Sequence, residues 1–284
     1  EPNRAIEVLQ EAIRAGRNSG NLFVMLFARS TLGEILIDAG QLSRALAVFS
    51  QSMQYFDSSH AQFAVFEKLV YKEVAEIFMA RNELDQAEEF LQKSLEPTLT
   101  RSMPINEFDT HLRLAHLYQC KGDLSKVKRE VALSRQFTIG SSSSLDDMLL
   151  AIFETRTALL YNQPATAQKW DQILGGVIDR GAMVLKGIPP SLMDNVYLQF
   201  ERYNLVEGRL KNDKDQIQRA VTGLENLLTQ LDRAGLMEHK IEANVLLSIA
   251  YHELDNSQQM LQHLEAALKI AEPEGYRQVF IDEG

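Results

Sequence analysis

Hydrophobic residues along this chain recur at steps of three and four, in blocks separated by short polar turns. In the stretch Leu32 to Tyr55 (LGEILIDAGQLSRALAVFSQSMQY) the first block sets Leu32, Gly33 and Leu36 on one helical face. The second block does the same with Leu42, Ala45, Leu46, Phe49 and Met53, after a turn at Asp38-Ala39-Gly40-Gln41. Gly33 and Ala45 carry almost no side chain, so two antiparallel helices can approach closely there. A pair this short cannot bury both of its faces alone and requires copies of itself on either side.

The copies follow. The opening RAIEVLQEAI carries Ala5, Leu9 and Ala12 at the intervals of Ala45, Phe49 and Ser52, as the second helix of a pair would. A chain opening halfway through a repeat is expected of a piece cut from a longer array. A second full copy is read from about 69 to 95, with its turn at Arg81-Asn82-Glu83 and Asn82 placed as a helix cap. A third runs from about 107 to 137 with a turn at Lys121-Gly122-Asp123, and a fourth from about 147 to 174 with Trp170 in its second helix. The fifth spans about 192 to 235 around Asn212 to Asp215, and the last about 240 to 272 around Asp255-Asn256. The tail from Gly275 to Ile281 is apolar enough to cover the final helix.

The positions Ala5, Ala45, Ala87, Val127, Ala167, Ala220 and Met260 lie 40, 42, 40, 40, 53 and 40 residues apart. Two helices of about 15 residues and two turns fill about 40 residues. The long interval contains residues 175–191 (GGVIDRGAMVLKGIPPS), an irregular insertion read as packing on the array, with a ligand lid as the alternative. Nothing alternates apolar and polar residues long enough to build a sheet. The expectation is an all-α chain, a right-handed α-solenoid of helical hairpins, with residues 1–284 as a single superhelical domain.

This pattern of small residue, large apolar residue, turn, small residue and aromatic resembles the tetratricopeptide repeat, stretched from about 34 to about 40 residues. The longer period is similar to the superhelical region of MalT-like regulators, the large ATP-dependent members of the LuxR-type transcription factors. The closing segment sharpens the likeness: Ala266 to Tyr276 (AALKIAEPEGY), then Val279 to Gly284 (VFIDEG), is similar to the segment with which that region ends. Val127, Asp171, Met260 and the 53-residue interval depart from the repeat. The resemblance implies a sensor region that receives a small-molecule inducer or an inhibitory protein and relays occupancy to self-association. It implies ATP in an N-terminal module and DNA contact in a terminal helix-turn-helix, both outside this sequence. No cofactor is expected in this chain, which has no GxxxxGK[ST] motif.

Charge supports that division of labour. The net charge is −10 and the pI about 5.2, a field that repels phosphate backbones and anionic membranes, so neither is expected as a partner. Cys120 is the one cysteine, which rules out an intrachain disulfide and fits the cytoplasm. Catalysis is not expected, because no nucleophile stands beside a base and no HExxH or paired-cysteine set offers a metal site. His111 and His116 are five apart, off a common helical face.

Binding is the better fit. Stacked hairpins leave a concave surface lined by the first helix of each pair. The side chains beside the buried stripe there are Lys72, Glu76, His116, Gln119, Arg156, Arg202, Arg209 and His252, a mixture suited to a polar small molecule or a peptide. The alternative is a peptide-docking scaffold unrelated to transcription, gripping a terminal carboxylate. Glu76, one turn after Lys72, would repel that group.

Overall fold

Five of the expected turns close in the same way, and that closure explains why hairpins form where they do. The computed structural model describes residues 2–56, 63–96, 104–138, 144–161 and 190–283. At the end of a first helix, the N–H of Gln41, Glu83, Asp123, Asp213 and Asn256 donates to the carbonyl five residues back, at Leu36, Phe78, Tyr118, Gly208 and Tyr251. This is the Schellman closure, and it needs one residue in the left-handed region just before. Gly40, Asn82, Gly122, Asn212 and Asp255 supply it, with φ of 69°, 60°, 73°, 54° and 59°. Glycine, asparagine and aspartate are the residues that tolerate this region at least cost. Gly20 and Asn21 close the join between the first two helices in the same manner.

The next residue starts the following helix. Asp123, Asp213 and Asn256 accept hydrogen bonds on their side-chain oxygens from the N–H three residues on. Asn82 does not cap: its positive φ spends it on the turn, and Glu83 takes the cap position without a side-chain bond. Pro104 and Pro190 each occupy the first position of a helix, where the missing N–H costs nothing.

Thirteen α-helices result among the described residues, with no strand. They divide into two compact units. The first comprises residues 1–142 and 274–278, and the second residues 143–273 and 279–284.

The first unit holds α1 (Pro2–Ser19), α2 (Leu22–Asp38), α3 (Leu42–Met53), α4 (Ala64–Ala80), α5 (Leu84–Leu95), α6 (Pro104–Cys120) and α7 (Leu124–Thr138). Consecutive helices pair, and the first helices α2, α4 and α6 also lie side by side. Ala45 and Ala87 are fully buried at the seams, as their size requires. The space at Gly33 is taken by Phe49, whose ring would stand 2.2 Å from an added Cβ.

The second unit holds α8 (Ser144–Leu160), α9 (Pro190–Lys211), α10 (Lys214–Ala234), α11 (Met237–Glu253), α12 (Ser257–Ala271) and the short α13 (Gln278–Glu283), which belongs here from Val279 on. Its core is built from Leu205, Ile217, Ala220, Leu224, Leu231 and Leu247, with α11 buried continuously from Ile241 to Ser248.

Two sequence expectations change. By backbone bonding the counterpart of Ala45 in the fifth copy is Ile217, whose N–H donates to Asp213 as that of Ala45 does to Gln41. Ala220 is also buried, one turn deeper, which is why periodicity settled on it. The tail does not simply cover α12. In the first unit Ser43 N–H donates to Glu274 (2.8 Å) and Arg277 N–H to the Ala80 carbonyl (2.8 Å). In the second unit Asp282 and Glu283 engage arginines of α8 and α9. The insertion at 175–191 lies outside the described residues except for Pro190 and Ser191, which begin α9, and so do Ala167, Trp170, Asp171 and the turn expected at Asn162-Gln163-Pro164 in the fourth copy. No described helix is long and apolar enough to cross a membrane.

Candidate functional site

In the first unit five charged side chains of α4 and α6 form one network between these neighbouring first helices. Lys72 is buried and its Nζ donates to Asp109 Oδ2 at 2.6 Å. Arg113 reaches Glu76 at 2.7 Å, Glu73 at 3.0 Å and Asp109 at 3.3 Å. Burial pushes the Glu73 carboxyl up to about 7, although Arg113 pulls the other way. Burial would raise Asp109 too, but Arg113 and Lys72 outweigh it and hold that carboxyl below its ordinary value.

Beside this network stand Glu34 and Asp38 of α2. Neither forms a hydrogen bond or an ion pair among the described residues. Both are exposed; the protein around them raises both carboxyls, with Asp38 adding to the rise at Glu34 and Arg113 and Lys72 opposing it. Glu34 and Asp38 therefore stand as acids outside the network that Lys72 and Arg113 form with Glu73, Glu76 and Asp109. Farther along α6, His116 is half-buried and Gln119 buried.

In the second unit Arg202 is almost fully buried and donates to Glu242, Glu283 and Gln199. Arg156 donates to Asp282 at 3.1 Å and lies 3.8 Å from Glu242. Burial alone would raise Glu242, but Arg156 and Arg202 together draw it down to about 2. Burial also lowers His239 nearby, and Arg156 adds to that. Two turns along α9, Arg209 bonds Glu253 of α11 at 2.8 Å. These two with Val206 and Leu210 line a cavity of about 310 Å³, and His252 is exposed beside Glu253.

The structure thus joins Lys72 to Glu76 through Asp109 and Arg113, and Arg156 to Arg202 through Glu242. Arg209 and His252 stay apart from the second cluster. Reading one sequence face at a time missed the acids that hold these cations, and Arg113 itself. The signal was one repeat away: Arg113 pairs with Glu73 across 40 residues, Arg202 with Glu242 across 40, and Lys72 with Asp109 across 37.

Paired helices joined by one repeated turn, with first helices side by side, define an all-α array of tetratricopeptide-like hairpins. Comparison with known proteins narrows this class. The model of the MalT-like TPR region matches residues 1–284, and the chain belongs to that family. It is 22% identical over 285 residues to the HTH-type transcriptional regulator MalT of Yersinia enterocolitica. That match takes in 100% of this chain but 30% of the relative's length.

Proposed function

We propose that this chain is the effector-receiving region of a MalT-like transcriptional regulator, acting in the cytoplasm. A small inducer or an inhibitory protein occupies the first-helix face. Occupancy is relayed to self-association and to DNA binding by modules outside this sequence, with ATP held by one of them. Family membership favours this role over an enzymatic one.

The observation that carries the reading is the pair Glu34 and Asp38, carboxylates left without partners beside a network whose other members are matched. Exposed carboxylate acceptors without partners favour a hydroxyl-rich or cationic ligand over an anion. A peptide-docking scaffold that grips a carboxylate fits less well, since Lys72 is buried and already held by Asp109.

The test is a thermal-shift screen of this region against sugars, nucleosides, amino acids and polyamines. A saturable rise in Tm with one class, abolished in Glu34→Gln/Asp38→Asn, is expected. No stabilisation by any class would move the reading to a protein partner.

A further inference from the structure

A second cluster, outside the first-helix network, has the opposite character. Gln10, Arg14 and Arg17 stand at i, i+4 and i+7 along one face of α1. They face Arg29 of α2 and Gln51 of α3 across a cavity of about 250 Å³. Among the described residues no carboxylate lines it. Ile13, Leu32 and Val48 supply the apolar part of the wall.

Arg29 is the unusual member. It is 2% exposed, yet among the described residues it has no acidic partner. Nη1 donates to the Gln51 carbonyl at 3.0 Å and Nη2 to Gln51 Oε1 at 3.3 Å. Tyr55 lies under it, ring centroid 5.7 Å away. These acceptors are neutral, so among the described residues no carboxylate balances this buried positive charge. Arg202, the other buried arginine among the described residues, is held by two carboxylates. Burial lowers the Arg29 guanidinium from its ordinary value; Tyr55 opposes this and the charge of Arg17 adds to it. Three arginines lining one cavity with no acid among the described residues, in a chain of net charge −10, are a strong local exception.

We propose that this cavity between α1, α2 and α3 binds a phosphate dianion, free or as the head of a small phosphomonoester. Planar guanidinium forks match phosphate oxygens two at a time, and three of them neutralise a dianion that would cost too much to hold otherwise. Gln10 and Gln51 offer amides to a hydroxylated body, and the cavity admits only a short one. The site is separate from Glu34 and Asp38, so its occupancy can be followed independently of theirs.

Calorimetric titration of this region with inorganic phosphate and with glycerol 3-phosphate, at fixed ionic strength, tests it. Glycerol and malonate serve as the uncharged and dicarboxylate controls. Saturable binding of a phosphate probe is expected, with affinity falling about tenfold in Arg14→Ala and again in Arg17→Ala. Both side chains are exposed on α1, so the fold should survive their loss. Glu34→Gln/Asp38→Asn should leave the affinity unchanged. Tighter binding of the ester assigns a phosphorylated metabolite, and equal binding assigns inorganic phosphate. No saturable heat with either probe, malonate binding as tightly, or unchanged affinity in Arg17→Ala would overturn the proposal.

Discussion

At the scale of single residues, size and desolvation decide most outcomes. Ala87 is fully buried where α4 meets α5, so Ala87→Leu must push the helices apart. A loss on the order of 1–3 kcal/mol in urea unfolding is expected, and unchanged stability would contradict the seam. Glu201 of α9 is a different case. Its carboxylate rests against Gly223, where an added Cβ would come within 2.0 Å, and burial pushes the carboxyl from 4.5 up to about 7. Below pH 4.5 it is protonated in folded and unfolded chains alike. As pH rises from there to about 7 the unfolded chain ionises first, so folding loses stability. Glu201→Gln keeps the shape without the charge. It should remove that loss, stabilising the protein by on the order of 2–3 kcal/mol at about pH 8 and little at about pH 4, as read by urea unfolding at the two values.

At the scale of elements, the turn is the unit of design. Asn82 at φ 60° does what Gly40 and Gly122 do at φ 69° and 73°. Asn82→Gly should leave Tm nearly unchanged, whereas Asn82→Val should cost about 1–2 kcal/mol, because a β-branched residue resists the left-handed region. The hairpins were legible in the sequence for this reason. A three-four periodicity marks each helix, and a Gly, Asn or Asp in the polar turn marks the five described reversals. Asn82 shows the limit of that reading. In the linear sequence a cap and a left-handed turn residue draw on the same residue types, and only the backbone distinguishes them. Ile217 shows another. With Ile217 and Ala220 both apolar and on adjoining faces, periodicity could not choose the register, and the Asp213 hydrogen bond does. The site was less legible still. Arg202 read as a groove-lining cation, yet it is 1% exposed, since helical spacing reveals a face but not what lies across from it.

At the scale of the whole molecule, neighbouring repeats are held by charge as well as by apolar seams. Besides the pairs on the first helices, Lys121 bonds Asp85 at 2.7 Å and Lys214 bonds Asp255 at 2.7 Å, again about one repeat apart. The exposed members contribute little, while the buried ones matter through what their loss leaves behind. Arg202→Met should cost about 3–5 kcal/mol by stranding Glu242 in the core. Arg202→Met/Glu242→Met should recover most of it, and a double-mutant cycle by denaturant unfolding checks the coupling. The spacing of these pairs has an evolutionary side. Hairpins of one length with one kind of reversal look interchangeable, and recombination could shuffle or duplicate them freely. A hairpin bearing Arg202 is nonetheless stranded unless its acidic mate arrives with it, so the buried charges act as addresses that keep the copies in their inherited order.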